Sequence, residues 1–85
     1  MELKAQFETA VAASKDLKER PSNETLLQLY GLYKQATEGN APAEGGYGMF
    51  DFVAKAKHDA WLKYKDVTAD AAMQQYIELV GRLQQ

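Results

Sequence analysis

Apolar residues recur at three- and four-residue steps in four stretches of this chain, the spacing of a helix that buries one face. The first stretch runs over about 3–14, with Leu3, Phe7, Ala10, Val11 and Ser14 on one stripe. It fades in the polar segment 15–20, and Pro21 forbids continuation because its ring blocks the helical backbone. Ser22 then offers a capping oxygen, and Glu24 stands in the positive first turn of a second helix. That helix carries Leu26, Leu27, Leu29, Tyr30, Tyr33 and Thr37, and Gly39 is placed to stop it. A third helix is predicted over 51–64, with Val53, Ala56, Ala60, Trp61 and Tyr64 on one side. Thr68 caps a fourth, with Asp70 in its first turn and Ala72, Met73, Tyr76, Ile77, Val80 and Leu83 along its face.

Good helix formers dominate, and no two-residue hairpin turn of the Asn-Gly or Asp-Gly type occurs. The expected class is all-α, a four-helix bundle. The segment 38–50 is the only long connection and holds four of the six glycines. Fully extended, thirteen residues reach about 43 Å, whereas a fifteen-residue helix is about 23 Å long. The connection is therefore long enough to return along the second helix and start the third parallel to it.

At 85 residues the chain makes one domain, 1–85, with a thin core. A deep substrate vault is excluded, so any ligand lies in a groove or on the surface. The composition, 46% hydrophobic and 26% charged, is that of a folded chain. A net charge of −2 argues against nucleic acid as a partner, because nonspecific grip on phosphates needs a positive field. The absence of cysteine removes disulfides, thiolate metal sites and thiol nucleophiles together. Glu2, Lys4 and Glu8 break any signal-peptide core, and no apolar run approaches a membrane span. The expected location is cytoplasmic, without integral membrane association and with no demand for more than a monomer.

Several residues depart from a simple bundle. Counted at about 100° per residue from Val53, Ala60 falls near 340°, Tyr64 near 20° and Lys57 near 40°. A lysine thus points with the apolar stripe. It fits either a snorkelling side chain or an anion ligand at the lip of a groove. Tyr30, Tyr33 and Lys34 share one face of the second helix. Two phenols beside an ammonium suit a flat heteroaromatic ring next to a phosphate; the plainer reading is two tyrosines capping a core beside a solvated lysine. Tyr76 lies on the apolar face of the fourth helix, where its hydroxyl needs a partner, either a ligand oxygen or a protein acceptor. The lone His58 has no second ligand at metal spacing, and no nucleophile, base and orienting group can be assembled. The run EGGYGMF lacks the Gly-Lys-Ser/Thr of a phosphate loop and reads as a flexible turn.

In three ordered segments the sequence resembles the acyl-CoA-binding protein family: LYGLYKQAT at 29–37, GMFDFVAKAKHDAW at 48–61 and AAMQQYI at 71–77. The resemblance implies helices running up, down, down, up, with a long crossover between the second and third. It implies a carrier and pool former for medium- to long-chain acyl-CoA esters that catalyses nothing, needs no cofactor or metal, and passes its cargo to acyl-CoA-using enzymes. Carried over by position, the adenine-stacking tyrosine falls on Tyr30 and its companion on Tyr33. The lysines holding the 3′-phosphate fall on Lys34 and Lys57, the tyrosine at the phosphate region on Tyr76, and a lysine at the end of the first helix on Lys15. Leu26, Leu27, Met49 and Phe50 are candidates for the acyl tail. Val53 stands where many members carry a lysine, His58 replaces a frequent tryptophan, and the loop lacks the usual Pro-Gly-Met ending. The competing reading is a helical protein-interaction module that has kept this fold and lost the ligand.

Overall fold

The structure, a computed structural model, describes residues 2–85 and contains four helices: α1 (Leu3–Ser14), α2 (Asn23–Glu38), α3 (Phe52–Leu62) and α4 (Ala69–Leu83). The starts of α2, α3 and α4 are set locally. The Ser22 hydroxyl accepts from the Thr25 amide, the Asp51 carboxylate from Ala54 and the Thr68 hydroxyl from Ala71, each at 3.1 Å. Each bond satisfies an amide that has no partner within its helix. Gly39 ends α2 with φ at 80°, a backbone region open to glycine and costly for most other residues.

The third helix is shorter than its apolar pattern predicts. Asp51 is the cap rather than the first turn, and the chain leaves the helix after Leu62. Asp66 adopts φ 67° and is held there by Asn40. The Asn40 Oδ1 accepts from the Asp66 amide at 2.8 Å, and its Nδ2 donates to the Asp66 carboxylate at 3.1 Å. A side chain from the long loop thus closes the turn between α3 and α4.

Contacts between α2 and α3 rise in step along both helices, Tyr30 meeting Lys57 and Lys34 meeting Trp61. The two helices therefore run parallel, as the loop length allows. Contacts between α2 and α4 run the other way, with Gln35 bonded to Val67 near the start of α4. α1 packs on α4, and α2 packs on both α3 and α4. The order is up, down, down, up.

The core joins Phe7 and Ala10 of α1, Leu29, Leu32 and Ala36 of α2, and Ala72, Tyr76 and Val80 of α4. Beside it, Gln35 is only 1% exposed and donates to both Asn40 Oδ1 at 2.8 Å and the Val67 carbonyl at 2.9 Å. α3 meets α2 through a close approach at Gly31, where a Cβ would come within 2.6 Å of the Ala60 carbonyl oxygen.

The loop is fastened at its start rather than free throughout. Trp61 Nε1 donates to the Gly39 carbonyl at 2.8 Å, and His58 Nε2 donates to the Pro42 carbonyl at 2.7 Å. A carbonyl only accepts, so Nε2 of His58 carries a proton. His58 is buried under the loop and serves to hold it. Farther on, Met49, Phe50, Phe52 and Val53 project into solvent.

The Cα envelope measures 41 × 28 × 15 Å. Its shortest dimension leaves no depth for an enclosed chamber, because one helix with side chains is already about 10–12 Å across. None of the described helices is long and apolar enough to cross a membrane.

Candidate functional site

A groove of about 430 Å³ opens over the junction of α1, α2 and α4. α1 and its C-terminal cap contribute Val11, Ser14 and Lys15, and α4 contributes Tyr76. α2 contributes Leu26, Leu29, Tyr30 and Tyr33, which lie within two turns and so present one continuous wall. Four of the six residues singled out in the sequence, Lys15, Tyr30, Tyr33 and Tyr76, thus share one depression.

Lys57 joins them from α3. Its ammonium stands 5.6 Å from the centre of the Tyr30 ring, within cation–π range. Its stripe position therefore brings it to the edge of the groove and not into the core, since the residue is exposed.

Lys34 lies one helical turn beyond Tyr30. Its ammonium sits 5.0 Å from the centre of the Trp61 ring and is paired with Glu38 on its own helix. The Glu38 hydrogen bond raises the Lys34 pKa above its ordinary value; partial desolvation opposes this, while the charge of Glu38 and the nearby phenols of Tyr30 and Tyr33 add to it. Lys34 is thus a firmly cationic group beside the Trp61 ring, already partnered by a carboxylate. An incoming anion competes with Glu38 for it.

The tyrosines are held by an aromatic row. The Tyr33 ring stacks on Phe7 with centroids 6.0 Å apart and planes at 24°. Phe7 in turn meets Tyr76 edge to face at 5.1 Å and 73°. Tyr33 is 40% exposed and offers its outer face to a ligand, whereas Tyr76 is 4% exposed and lies at the base. The Tyr76 hydroxyl donates to Ser14 Oγ at 3.1 Å, so its partner in this structure is a protein acceptor. Burial pushes the Tyr76 phenol above its ordinary pKa, against an opposing effect of the Ser14 bond.

The apolar candidates separate. Leu26 faces the groove. Leu27 turns into a different crease between α2 and α3, beside Ala56, Ala60 and Tyr64. Leu26 stands three, four and seven residues before Leu29, Tyr30 and Tyr33 and so shares their face of α2, whereas Leu27 is turned about 100° from Leu26, toward α3. Met49 and Phe50 are 86% and 79% exposed and continue into the exposed Phe52 and Val53, an apolar shoulder at the start of α3.

Two contributors escaped sequence reasoning about the site. Phe7 reads as ordinary core, yet it backs both Tyr33 and Tyr76. Ser14 carried the one available signal, a hydroxyl at a stripe position where an apolar residue is expected. Among the described residues no cluster of His, Cys, Asp or Glu is arranged to hold a metal ion.

The sequence profile described as Acyl CoA binding protein matches residues 4–80. The acyl-CoA-binding protein homolog of Manduca sexta is 40% identical over 83 residues, which cover 98% of this chain and 92% of that protein. The acyl-CoA-binding protein of Brassica napus is 46% identical over 83 residues, covering 98% and 89%. Enoyl-CoA delta isomerase 2 of Rattus norvegicus is 48% identical over 77 residues, but the chain spans only 19% of that protein's length. In three dimensions the chain superposes on the crystal structure of Oryza sativa Acyl-CoA-Binding Protein 2 with a TM-score of 0.87 at 39% identity, covering 96% of this chain and 90% of that one. With the profile spanning nearly its whole length and full-length relatives well above 30% identity, the chain belongs to the acyl CoA binding protein family.

Proposed function

We propose that this protein binds medium- to long-chain acyl-CoA esters in the groove between α1, α2 and α4 and carries them within the cytoplasm. One observation supports this above the others. In a chain of net charge −2, Lys57 stands over the ring of Tyr30 in the groove wall, Lys15 lines the same groove, and Lys34 follows Tyr30 one turn along α2. Such a site suits a ligand that is at once aromatic, multiply anionic and apolar.

In this reading the nucleotide is the specific end. Tyr30 and Tyr33 present ring faces to adenine, and Lys34, Lys57 and Lys15 neutralise phosphate. The tail supplies most of the affinity. Each buried methylene is worth about 0.8 kcal/mol, so about fourteen of them contribute up to roughly 11 kcal/mol. That exceeds the several kcal/mol that association costs. Leu26 and the apolar shoulder from Met49 to Val53 are the surfaces for the tail.

The protein holds the thioester without turning it over and presents it to acyl-CoA-using enzymes. The rat relative named enoyl-CoA delta isomerase 2, which contains a region like this one, supports that choice of partner class. Titration calorimetry with palmitoyl-CoA and with free CoA tests the two-part reading. Affinity that climbs steeply with acyl length is expected, and equal affinity for the two ligands overturns it. Incubation with palmitoyl-CoA leaves the thioester intact, and measurable turnover refutes the carrier role.

A further inference from the structure

Ser14 and Tyr76 lie side by side in the base of the groove, and their two hydroxyl hydrogens are both committed inside the protein. The Ser14 hydroxyl donates to the Val11 carbonyl at 2.7 Å. The Tyr76 hydroxyl donates to Ser14 Oγ at 3.1 Å. A serine or tyrosine hydroxyl carries one hydrogen and two acceptor lone pairs. Nothing but lone pairs is therefore left on this pair for a bound molecule. The edge contact between the Tyr76 ring and Phe7, together with near-complete burial, fixes the ring and keeps its oxygen beside Ser14.

This conflicts with the role that the family resemblance gives Tyr76. A phosphate at neutral pH presents acceptors, and lone pairs set against a phosphate oxygen repel. Lys15, which lines the groove with Tyr76, and Lys57 over Tyr30 are donors and meet that demand, with Lys34 one turn beyond Tyr30. A ligand hydroxyl or amide N–H is the group that fits an acceptor.

We infer that Ser14 is a positioning residue which turns the Tyr76 hydroxyl into a hydrogen-bond acceptor, so that Tyr76 reads a donor of the bound acyl-CoA, an amide N–H of the pantetheine arm or a ribose hydroxyl, and leaves the phosphates to the lysines. This rests on the acyl-CoA reading of the groove and adds the polarity of its base. The bond joins residues on α1 and α4, so it also aligns two walls of the groove.

Palmitoyl-CoA binding to wild type, Ser14→Ala, Ser14→Thr, Tyr76→Phe and Ser14→Ala/Tyr76→Phe tests it by calorimetry, with circular dichroism confirming that each variant is folded. Removing the Ser14 hydroxyl releases the Tyr76 hydrogen toward the groove. If the ligand group there is a donor, Ser14→Ala weakens binding, by about 3- to 10-fold for one hydrogen bond. If it is a phosphate oxygen, Ser14→Ala tightens binding, and the inference fails. Tyr76→Phe is expected to weaken binding by a similar factor, the double variant no more than Tyr76→Phe alone, and Ser14→Thr is expected to restore wild-type affinity. Unchanged affinity in folded Ser14→Ala, or single losses that multiply in the double variant, reduces Ser14 to a structural role and overturns the inference. Failure of the wild type to bind palmitoyl-CoA is a separate result that takes down the acyl-CoA reading and this inference with it.

Discussion

The ammonium of Lys57 stands 5.6 Å from the centre of the Tyr30 ring, so a cation carried by α3 and a phenol carried by α2 meet at the lip of the groove. The contact depends on the parallel approach of the two helices and on their closeness at Gly31. It is also poised for exchange. A cation–π pair at an exposed position is worth only about 0.5–1 kcal/mol. A charge-assisted bond to phosphate is worth about 1.5–3 kcal/mol. On the proposed acyl-CoA reading, an arriving phosphate is therefore expected to win the ammonium and leave the Tyr30 ring free to stack.

Lys57→Ala is expected to weaken palmitoyl-CoA binding by about 1.5–3 kcal/mol, the range of a charged hydrogen bond. Lys57 is exposed and contributes little to the core, so the unfolding midpoint stays near that of the wild type. Calorimetry and urea denaturation on the same preparation separate the two effects. Unchanged affinity removes Lys57 from the site.

Gly31 and Gly81 are both helical glycines, and the same substitution at each is expected to have opposite signs. A Cβ at Gly31 would come within 2.6 Å of the Ala60 oxygen and 2.8 Å of Tyr64 Cε2, whereas Gly81 has nothing within 4 Å. Alanine gains about 1 kcal/mol of helix propensity over glycine. At Gly81 nothing opposes that gain, and Gly81→Ala stabilises by up to about 1 kcal/mol. At Gly31 the methyl pushes α3 off α2, an overpacking cost of about 1–3 kcal/mol that outweighs the gain. Gly31→Ala also displaces Lys57 and therefore weakens ligand binding. Equal stabilisation of both variants in urea denaturation contradicts the packing at this crossing.

Much of the fold could be read in the sequence because its signals are local. Ser22, Thr68 and Gly39 act on amides and carbonyls within four residues of themselves, and each marks a helix end that the structure shares. The end of α3 was not legible. The apolar pattern continues to Tyr64, but the chain is turned by Asp66 in a bond to Asn40, 26 residues away. In the site, the Tyr30–Lys34 face was visible as helical spacing. Its meeting with Lys57 was implied by family resemblance and not by periodicity, which by itself favoured a snorkelling lysine. The choice of Leu26 over Leu27 depends on which side of α2 faces α1 and which faces α3. The Ser14–Tyr76 bond spans 62 residues of sequence, and no local rule pairs them.

Alkaline pH is expected to unfold the protein, and tyrosine burial is one cause. Burial raises the pKa of both Tyr64 and Tyr76 above their ordinary value, so the fold favours the protonated phenol. For a group whose folded pKa is raised, the stabilisation is complete below the unfolded value, about 10 for tyrosine, and drains away as pH climbs through the folded value. Lys34, also raised by its bond to Glu38, adds in the same direction. Tyr64→Phe removes one ionisation at little change in volume, and is expected to move the alkaline midpoint to higher pH in a far-ultraviolet CD titration. A midpoint that stays put, or falls, means that burial of the Tyr64 phenol does not drive the transition.

Val53→Lys asks whether the missing charge at the start of α3 matters to the ligand. Val53 is 67% exposed, so a lysine there sacrifices little packing. It lies one turn before Lys57, with its side chain on the same face. Two costs act on the fold. The new cation stands at the positive end of the helix, worth about 0.3–1 kcal/mol, and it faces a like charge four residues on, worth about 0.2–0.5 kcal/mol. Stability is thus expected to fall by up to roughly 1.5 kcal/mol, while attraction for a multiply charged nucleotide rises. The gain is electrostatic and exposed, so salt decides its size. The screening length is about 30 Å at 0.01 M salt and about 3 Å at 1 M. Several-fold tighter palmitoyl-CoA binding is expected at the lower concentration and near-parity with the wild type at the higher. No gain at low salt places the phosphates away from the start of α3, and a gain that survives high salt points to a direct contact rather than a field effect.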